Sequence, residues 1–391
     1  MFSRRTSWRL AVNRFTEAQR EFAAAGGGAL DLTVSNPTRA GLIVDLTHDQ
    51  REIAKALADP GIADYDPQPK GLLVARESVL AYYRERRAEV DAESLILTTS
   101  TSEGYSYVFR LLCDPGDEVL VPKPSYPLFE FLADLQDVKL VPYPLLYDHG
   151  WQMDLPSIER AITARTRAIV MVHPNNPTGS YVKDDERSAL NALCSKGGLA
   201  LIVDEVFLDY PLDREPPESF ATNNGALTFT LSGVSKISGL PQMKFAWIAT
   251  SGPQDVANEA LERLEVIADT YLSMSAPIQL AAEAMLKQRR RIQPALLTRT
   301  QANLQELDRQ LARQKGCTRL HVEGGWYAVL RVPATRTDEE LVIDLLREHS
   351  VLVHPGHFYD FPSDGYLVVS LIGLEDEFRE GIRRLLEYLE K

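Results

Sequence analysis

Four places along the chain bring a polar or ionisable residue directly out of a short apolar run. The run Leu95–Thr98 opens into Thr99-Ser100-Thr101-Ser102-Glu103, a hydroxyl cluster at the start of a helical pattern. Free amides and the helix dipole favour a phosphate there, although the same residue types serve equally as a plain helix cap. The run Ala168–Val172 ends in His173-Pro174-Asn175-Asn176-Pro177-Thr178-Gly179. Two prolines and a glycine hold two carboxamides there, in a rigid presenting loop or an ordinary turn. Leu199–Val203 delivers Asp204-Glu205. A carboxylate leaving an apolar run is largely buried, and needs a cation to remain charged unless it only caps a helix or closes a structural ion pair. Finally, Thr228–Leu231 opens into Ser232-Gly233-Val234-Ser235-Lys236. A lysine in such a loop is either a solvated surface group or a nucleophile whose amine is partly deprotonated by its surroundings.

Joined by the aromatic Tyr126, these residues supply the contacts that a pyridoxal 5'-phosphate (PLP) ring requires. A lysine captures the aldehyde as an imine, and a carboxylate keeps the ring nitrogen protonated so that the ring accepts electrons from a carbanion. An amide tunes the phenolic oxygen, and hydroxyls at a helix start cradle the phosphate.

The elements that must position these groups are legible from periodicity. Leu95–Thr98, Glu118–Val121, Ala168–Val172, Leu199–Val203, Thr228–Leu231 and Phe245–Ala249 read as strands, several apolar throughout as strands buried on both faces must be. Helical patterns at 71–88, 102–112, 126–136, 184–196 and 254–272 alternate with them. This predicts an α/β fold with a mostly parallel central sheet covered by helices, whose ligands bind beyond the carboxyl ends of the strands. Residues 4–25 read as a helix, and Ile278–Lys315 as one long helix kinked at Pro294. Beyond it, strands at His321–Val332, Val351–His354 and Leu367–Leu371 with helices near 338–349 and 375–390 suit a smaller α+β domain. We divide the chain into an arm that joins the small domain (1–40), a large cofactor domain (41–285) and the small α+β domain (286–391).

Composition narrows the function classes. The 391 residues carry 42 basic and 55 acidic side chains, a net charge of −13, which argues against a nucleic-acid or anionic-lipid surface. Apolar stretches fall far short of the ~20 residues of a spanning helix, so no membrane partner is expected. Ser3-Arg4-Arg5 is followed by Arg9, Arg14, Glu17 and Arg20 rather than an apolar signal region, so we expect a chain that starts near Met1 and works in the cytoplasm. Cys113, Cys194 and Cys317 are far apart and form no CxxC, which reads as three small buried apolar residues. His354 and His357 lack a nearby third ligand, and no metal is expected.

Several motifs then match a known family in order. Pro115-Gly116-Asp117-Glu118-Val119 with Pro124-Ser125-Tyr126-Pro127, Asn176-Pro177-Thr178-Gly179, Asp204-Glu205-Val206-Phe207, Ser235-Lys236 and Pro355-Gly356 resemble the class I and II aminotransferases, fold-type I PLP enzymes, across roughly residues 30–390. The resemblance implies an aspartate aminotransferase-like fold and PLP as cofactor. It implies that Lys236 forms the internal aldimine and moves the proton between substrate and cofactor, that Asp204 pairs with the pyridinium nitrogen, that Asn176 hydrogen-bonds the phenolic oxygen and that Tyr126 stacks on the ring. Ser100, Thr101, Ser102, Ser235 and Lys244 match the phosphate site. Tyr65 matches a tyrosine that reaches the phosphate from the partner subunit, which implies a homodimer with shared sites.

This chain also departs from the pattern. Phe207 stands where relatives carry a tyrosine on the phenolic oxygen, Lys244 where they carry an arginine, and Gly233 where a phosphate-binding serine is common, with Ser232 or Ser235 as substitutes. Val368, in Gly365-Tyr366-Leu367-Val368-Val369-Ser370, takes the place of the arginine that clamps the substrate carboxylate. Arg39 on the Ser35-Asn36-Pro37-Thr38-Arg39 segment is the leading substitute, with Asn36 beside it and His357 second. Tyr271, Trp326 and Tyr327 are candidates for pocket selectivity. The resulting expectation is a PLP-dependent aminotransferase acting on an amino acid donor and a 2-oxo acid acceptor. The alternative is a PLP lyase or decarboxylase on the same scaffold, because one electron sink serves all carbanion chemistry. A non-catalytic sensor of PLP or an amino acid fits poorly with retained Lys236, Asp204 and Asn176.

Overall fold

The computed structural model describes all residues except Arg9, Ile43, Leu128, Arg214 and Lys391. In chain order its strands are β1 (Leu30–Asp31), β2 (Leu95–Thr98), β3 (Glu118–Lys123), β4 (Lys139–Tyr147), β5 (Trp151–Met153), β6 (Thr166–Val172) and β7 (Ala200–Asp204). They continue as β8 (Thr228–Gly233), β9 (Ala246–Ser251), β10 (Thr318–Arg319), β11 (Tyr327–Arg331), β12 (Val351–Leu352), β13 (His354–Pro355) and β14 (Tyr366–Ser370). Eight of these form one sheet in the order β2-β9-β8-β7-β6-β3-β4-β5. The β8-β7-β6-β3-β4 stretch is parallel, while β9 runs antiparallel between β2 and β8. The carboxyl ends of β2, β3, β6, β7 and β8 therefore share one rim.

Central strands β6 and β7 bury both faces, and their side chains divide by the two-residue period of a pleated strand. Ala168, Val170, Val172 and Ile202 join one core with Phe109 and Leu264 from helices Thr101–Leu112 and Gln254–Thr270. Ile169, Met171, Leu201 and Val203 face the opposite core with Trp326 and Tyr327. A second, antiparallel sheet orders β10-β11-β14-β13, covered by helices Asp338–His349 and Glu375–Leu389. β1 pairs in parallel with β12 through Leu30 and Val351, so the chain before residue 40 is tied to this second unit.

Several elements differ from the periodicity reading, helices Thr47–Leu57 and Leu155–Ala161 among them. Helix 4–25 is instead a short 3-10 turn at Arg4–Thr6 and a helix at Arg14–Ala24, which begins where the Asn13 side chain accepts from the Thr16 amide at 2.7 Å. Between them Trp8 donates to Asp134 at 2.8 Å and stacks edge-on to Phe131. The long helix breaks at Ala281 into Ala276–Leu280 and Ala282–Leu311, with Pro294 inside the second. At about 45 Å this helix packs Met285 and Leu286 beside helix Leu73–Glu85 and Leu307 in the second unit's core, so it links the two. Hairpin β4-β5 escaped the reading, because Pro142 and Pro144 break the apolar alternation.

Candidate active site

The shared rim holds a cavity of about 250 Å³ lined by residues from five strand ends. Ser100, Thr101 and Ser102 follow β2, Tyr126 follows β3, Asn176 follows β6, Asp204 ends β7, and Ser235 and Lys236 follow β8. All eight were expected at the site from sequence, and the structure brings them to one wall.

Each is held by local chemistry. Ser100 is the cap of helix Thr101–Leu112: its hydroxyl accepts from the Glu103 amide at 3.2 Å, and Glu103 reaches back to the Thr99 amide at 2.6 Å. The cap reading is borne out, and the first-turn amides of Thr101 and Ser102 have no partner within the helix. Asn176 sits in a pinned loop. Asn175 accepts from the Thr178 hydroxyl at 3.0 Å, and its amide donates to the Ser180 carbonyl at 2.8 Å. Gly179 has φ +71° and lies so close to Val322 and the Gly324 carbonyl that a Cβ would overlap both. The loop therefore presents Asn176 without freedom to retract, and its Oδ1 is buried with no partner among the described residues.

Asp204 is buried, with Oδ1 accepting from the Val206 amide at 3.1 Å and Oδ2 from the Tyr105 hydroxyl at 3.3 Å. Burial pushes its carboxyl up to about 6, opposed by those two donors and by the charge of Lys236. Lys236 lies in the one-turn helix Val234–Ile237, with its carbonyl accepting from the Tyr210 hydroxyl at 2.5 Å. Its Nζ stands 5.2 Å from the centre of the Trp326 ring and 5.6 Å from that of Phe207. Burial lowers its ammonium to about 8, partly offset by Asp204, so a usable fraction of amine is neutral near pH 7.

Other expected residues lie elsewhere. Lys244 is exposed in a left-handed conformation (φ +52°) after the Pro241–Met243 turn, and is not on the cavity wall. Arg39 and His357 are exposed and Asn36 caps the Pro37–Arg39 turn; none of the three lines the cavity. Tyr65 is 79% exposed and away from its own chain's cavity. Val368 is fully buried between Val329 and His354 of neighbouring strands. Among the described residues Lys236 is the only cation on the wall. Gly233 is explained by close packing: a Cβ would stand 2.8 Å from that of Ala246, leaving no room for serine. Of its two substitutes, Ser235 lines the cavity and Ser232 is buried within β8. Of the selectivity candidates, Tyr327 lines the cavity, Trp326 lies behind it, and Tyr271 is exposed against Tyr107.

Sequence reading missed Tyr105, Ser35, Phe129 and Tyr210. Tyr105 carried a usable signal, falling one helical turn after the hydroxyl cluster. Tyr210 carried none, since it reaches Lys236 from a loop.

A family model described as aminotransferase class I and II matches residues 29–385. Alanine aminotransferase of Mycobacterium tuberculosis is 28% identical over 377 residues, 94% of this chain and 86% of that protein. Glutamate-pyruvate aminotransferase AlaA of Escherichia coli is 28% identical over 319 residues, 78% of each chain. Among solved structures, alanine aminotransferase from Pyrococcus furiosus superposes with a TM-score of 0.90 at 22% identity over all of both chains. A Thermus thermophilus aspartate aminotransferase variant gives 0.84 at 22% identity, again over all of both chains. No helix among the described residues is long and apolar enough to cross a membrane. These likenesses favour transamination over the lyase and decarboxylase alternative. The chain belongs to the class I and II aminotransferases, PLP-dependent enzymes that move an amino group from an amino acid to a 2-oxo acid.

Proposed function

We propose that this aminotransferase works through Lys236, with PLP held between the helix start at Ser100 and the carboxylate of Asp204. The observation that carries the proposal is one cavity lined by Lys236, Asp204 and the Asn176 carboxamide, whose Oδ1 has no partner among the described residues. The donor set fits the cofactor. Thr101 and Ser102 offer first-turn amides and hydroxyls to the phosphate, with Ser100 and Ser235 beside them. Asp204 offers an anion to the ring nitrogen, Asn176 a carboxamide to the phenolic oxygen and Tyr126 an aromatic face. When bound, PLP supplies the electron sink for the carbanion at the substrate Cα. The Lys236 amine, lowered toward neutral pH, accepts and returns the proton at that carbon.

Arg39 supplies the cation for the substrate carboxylate in this reading, carried by the segment whose Ser35 lines the cavity. Tyr65 completes the phosphate site of a second copy. Its exposure, with Ile62, Leu73 and Val74 also exposed nearby in sequence, suits a homodimer with shared sites. Three free thiols suit the reducing cytoplasm. The relatives' names make glutamate and pyruvate the first donor and acceptor to try.

The test is an absorption scan of the purified protein with PLP, compared with Lys236→Ala, followed by glutamate and then pyruvate. A visible band absent from the variant, bleached by donor and restored by acceptor, supports the proposal. A band that survives in Lys236→Ala overturns it. Sedimentation at twice the chain mass, with activity restored by mixing Tyr65→Ala and Lys236→Ala chains, tests the shared site.

A further inference from the structure

Tyr105 belongs to none of the motifs that mark the site, yet it is only 2% exposed and meets Asp204 directly. It lies on helix Thr101–Leu112, with its ring edge-on to Phe129 at 5.3 Å and tilted against Phe109 at 6.0 Å. Those contacts would serve a phenylalanine equally. The hydroxyl is a polar group carried into an apolar cluster, and such a group costs free energy unless it is paired. Its partner is Asp204 Oδ2 at 3.3 Å, while Oδ1 takes the Val206 amide. The carboxylate thus accepts from two donors on two elements, one in its own loop and one on the helix whose first turn lines the cavity.

We infer that Tyr105 is a positioning residue: its phenol sets the orientation of the Asp204 carboxylate toward the cofactor's ring nitrogen and ties that orientation to the helix assigned to the phosphate. The inference rests on the PLP reading above. One helix then holds both ends of the cofactor in register, the phosphate through its amino end and the ring through Asp204. Among the described residues, the charged and titratable groups that interact with Asp204 are Tyr105, Lys236 from the Val234–Ile237 helix and Tyr126 from the loop after β3.

The first test uses the cofactor-free protein, with ¹³C-labelled aspartate and the Asp204 carboxyl signal assigned by its loss in Asp204→Asn. In Tyr105→Phe the titration midpoint of that carboxyl rises by about one pH unit, because a donor to the charged form is gone. With PLP added, the dissociation constant rises about tenfold. In the loaded enzyme kcat falls while KM for the donor holds, and the acid limb of the kcat profile moves to higher pH. A packing role would move none of these midpoints. Replacement of the tyrosines by 3-fluorotyrosine keeps the native side-chain shape and makes the phenol a stronger donor, so the Asp204 midpoint moves down. It serves as the second measurement if Tyr105→Phe fails to fold. An Asp204 midpoint unchanged in both proteins overturns the inference. PLP bound as tightly by Asp204→Asn as by the native chain overturns the cofactor reading instead.

Discussion

Lys236 and Asp204 reach one cavity from neighbouring strands, and each opposes what burial does to the other. Burial favours neutral forms of both groups, so the lysine falls to about 8 and the carboxyl rises to about 6. Their mutual attraction favours the charged forms. The pair thereby keeps an anion for a ring nitrogen and a lysine with a usable neutral fraction on the wall of one cavity.

Asp204→Asn removes the one charge that props up the Lys236 ammonium. The sign follows directly: without the anion, burial acts unopposed and the lysine titrates below about 8. The check is the pH dependence of Lys236 trinitrophenylation in cofactor-free protein, with Lys236→Ala as background. The midpoint moves to lower pH in Asp204→Asn, and a midpoint that rises or stays in place refutes the coupling.

The polar residues at strand ends were legible because open α/β sheets collect function at one rim. Ser100, Asn176, Asp204 and Lys236 each follow an apolar run that periodicity alone identifies as a strand. The bounds of helix Asp184–Gly197 were legible, with Gly198 in a left-handed conformation ending it, whereas Asn13 starts a helix inside what reads as one longer pattern. Contacts between elements distant in sequence were not legible. Tyr210 touches the Lys236 carbonyl across 26 residues and Tyr105 touches Asp204 across 99, and neither spacing leaves a periodic trace. The exposed positions of Arg39, Lys244 and Tyr65 were equally hidden, because a motif gives a residue's place in the chain and not its direction.

Arg39→Ala separates substrate binding from chemistry. If its guanidinium receives the substrate carboxylate, that contact is present in ground state and transition state alike, and its loss raises KM with little change in kcat. We expect KM for the donor to rise about tenfold, the order of one charge-assisted hydrogen bond. Steady-state kinetics with glutamate and pyruvate measure it. An unchanged KM eliminates Arg39 and turns attention to Tyr327 and Ser35, hydroxyl-bearing residues that line the cavity.

Phe207→Tyr introduces the hydroxyl that the family resemblance leads one to expect at this position. Phe207 lies on the cavity wall with its ring edge-on to Trp326 at 5.1 Å. A donor to the cofactor's phenolic oxygen stabilises the deprotonated form, and the pH midpoint of the visible band of the loaded protein falls by about one unit. An unmoved midpoint means that the hydroxyl points elsewhere.

Gly104→Ala tests whether the closeness of one helix to the sheet sets cofactor affinity. Gly104 lies in helix Thr101–Leu112 between the hydroxyl cluster and Tyr105, and an added Cβ would stand 2.9 Å from Leu231 and 3.4 Å from Ile248. Alanine gains about 1 kcal/mol of helix propensity over glycine. Leu231 and Ile248 are both fully buried, so neither can yield cheaply, and overpacking of this kind costs about 1–3 kcal/mol. The packing term outweighs the propensity gain, and the helix lifts from β8 and β9 to relieve it. Because that helix carries the Ser100 cap and the Thr101 and Ser102 amides, the expected outcome is a lower thermal midpoint and a several-fold weaker PLP affinity, measured by fluorescence titration. A variant that is more stable than the native chain and binds PLP equally tightly shows that the helix has slack, and that its amino end is not set by this contact.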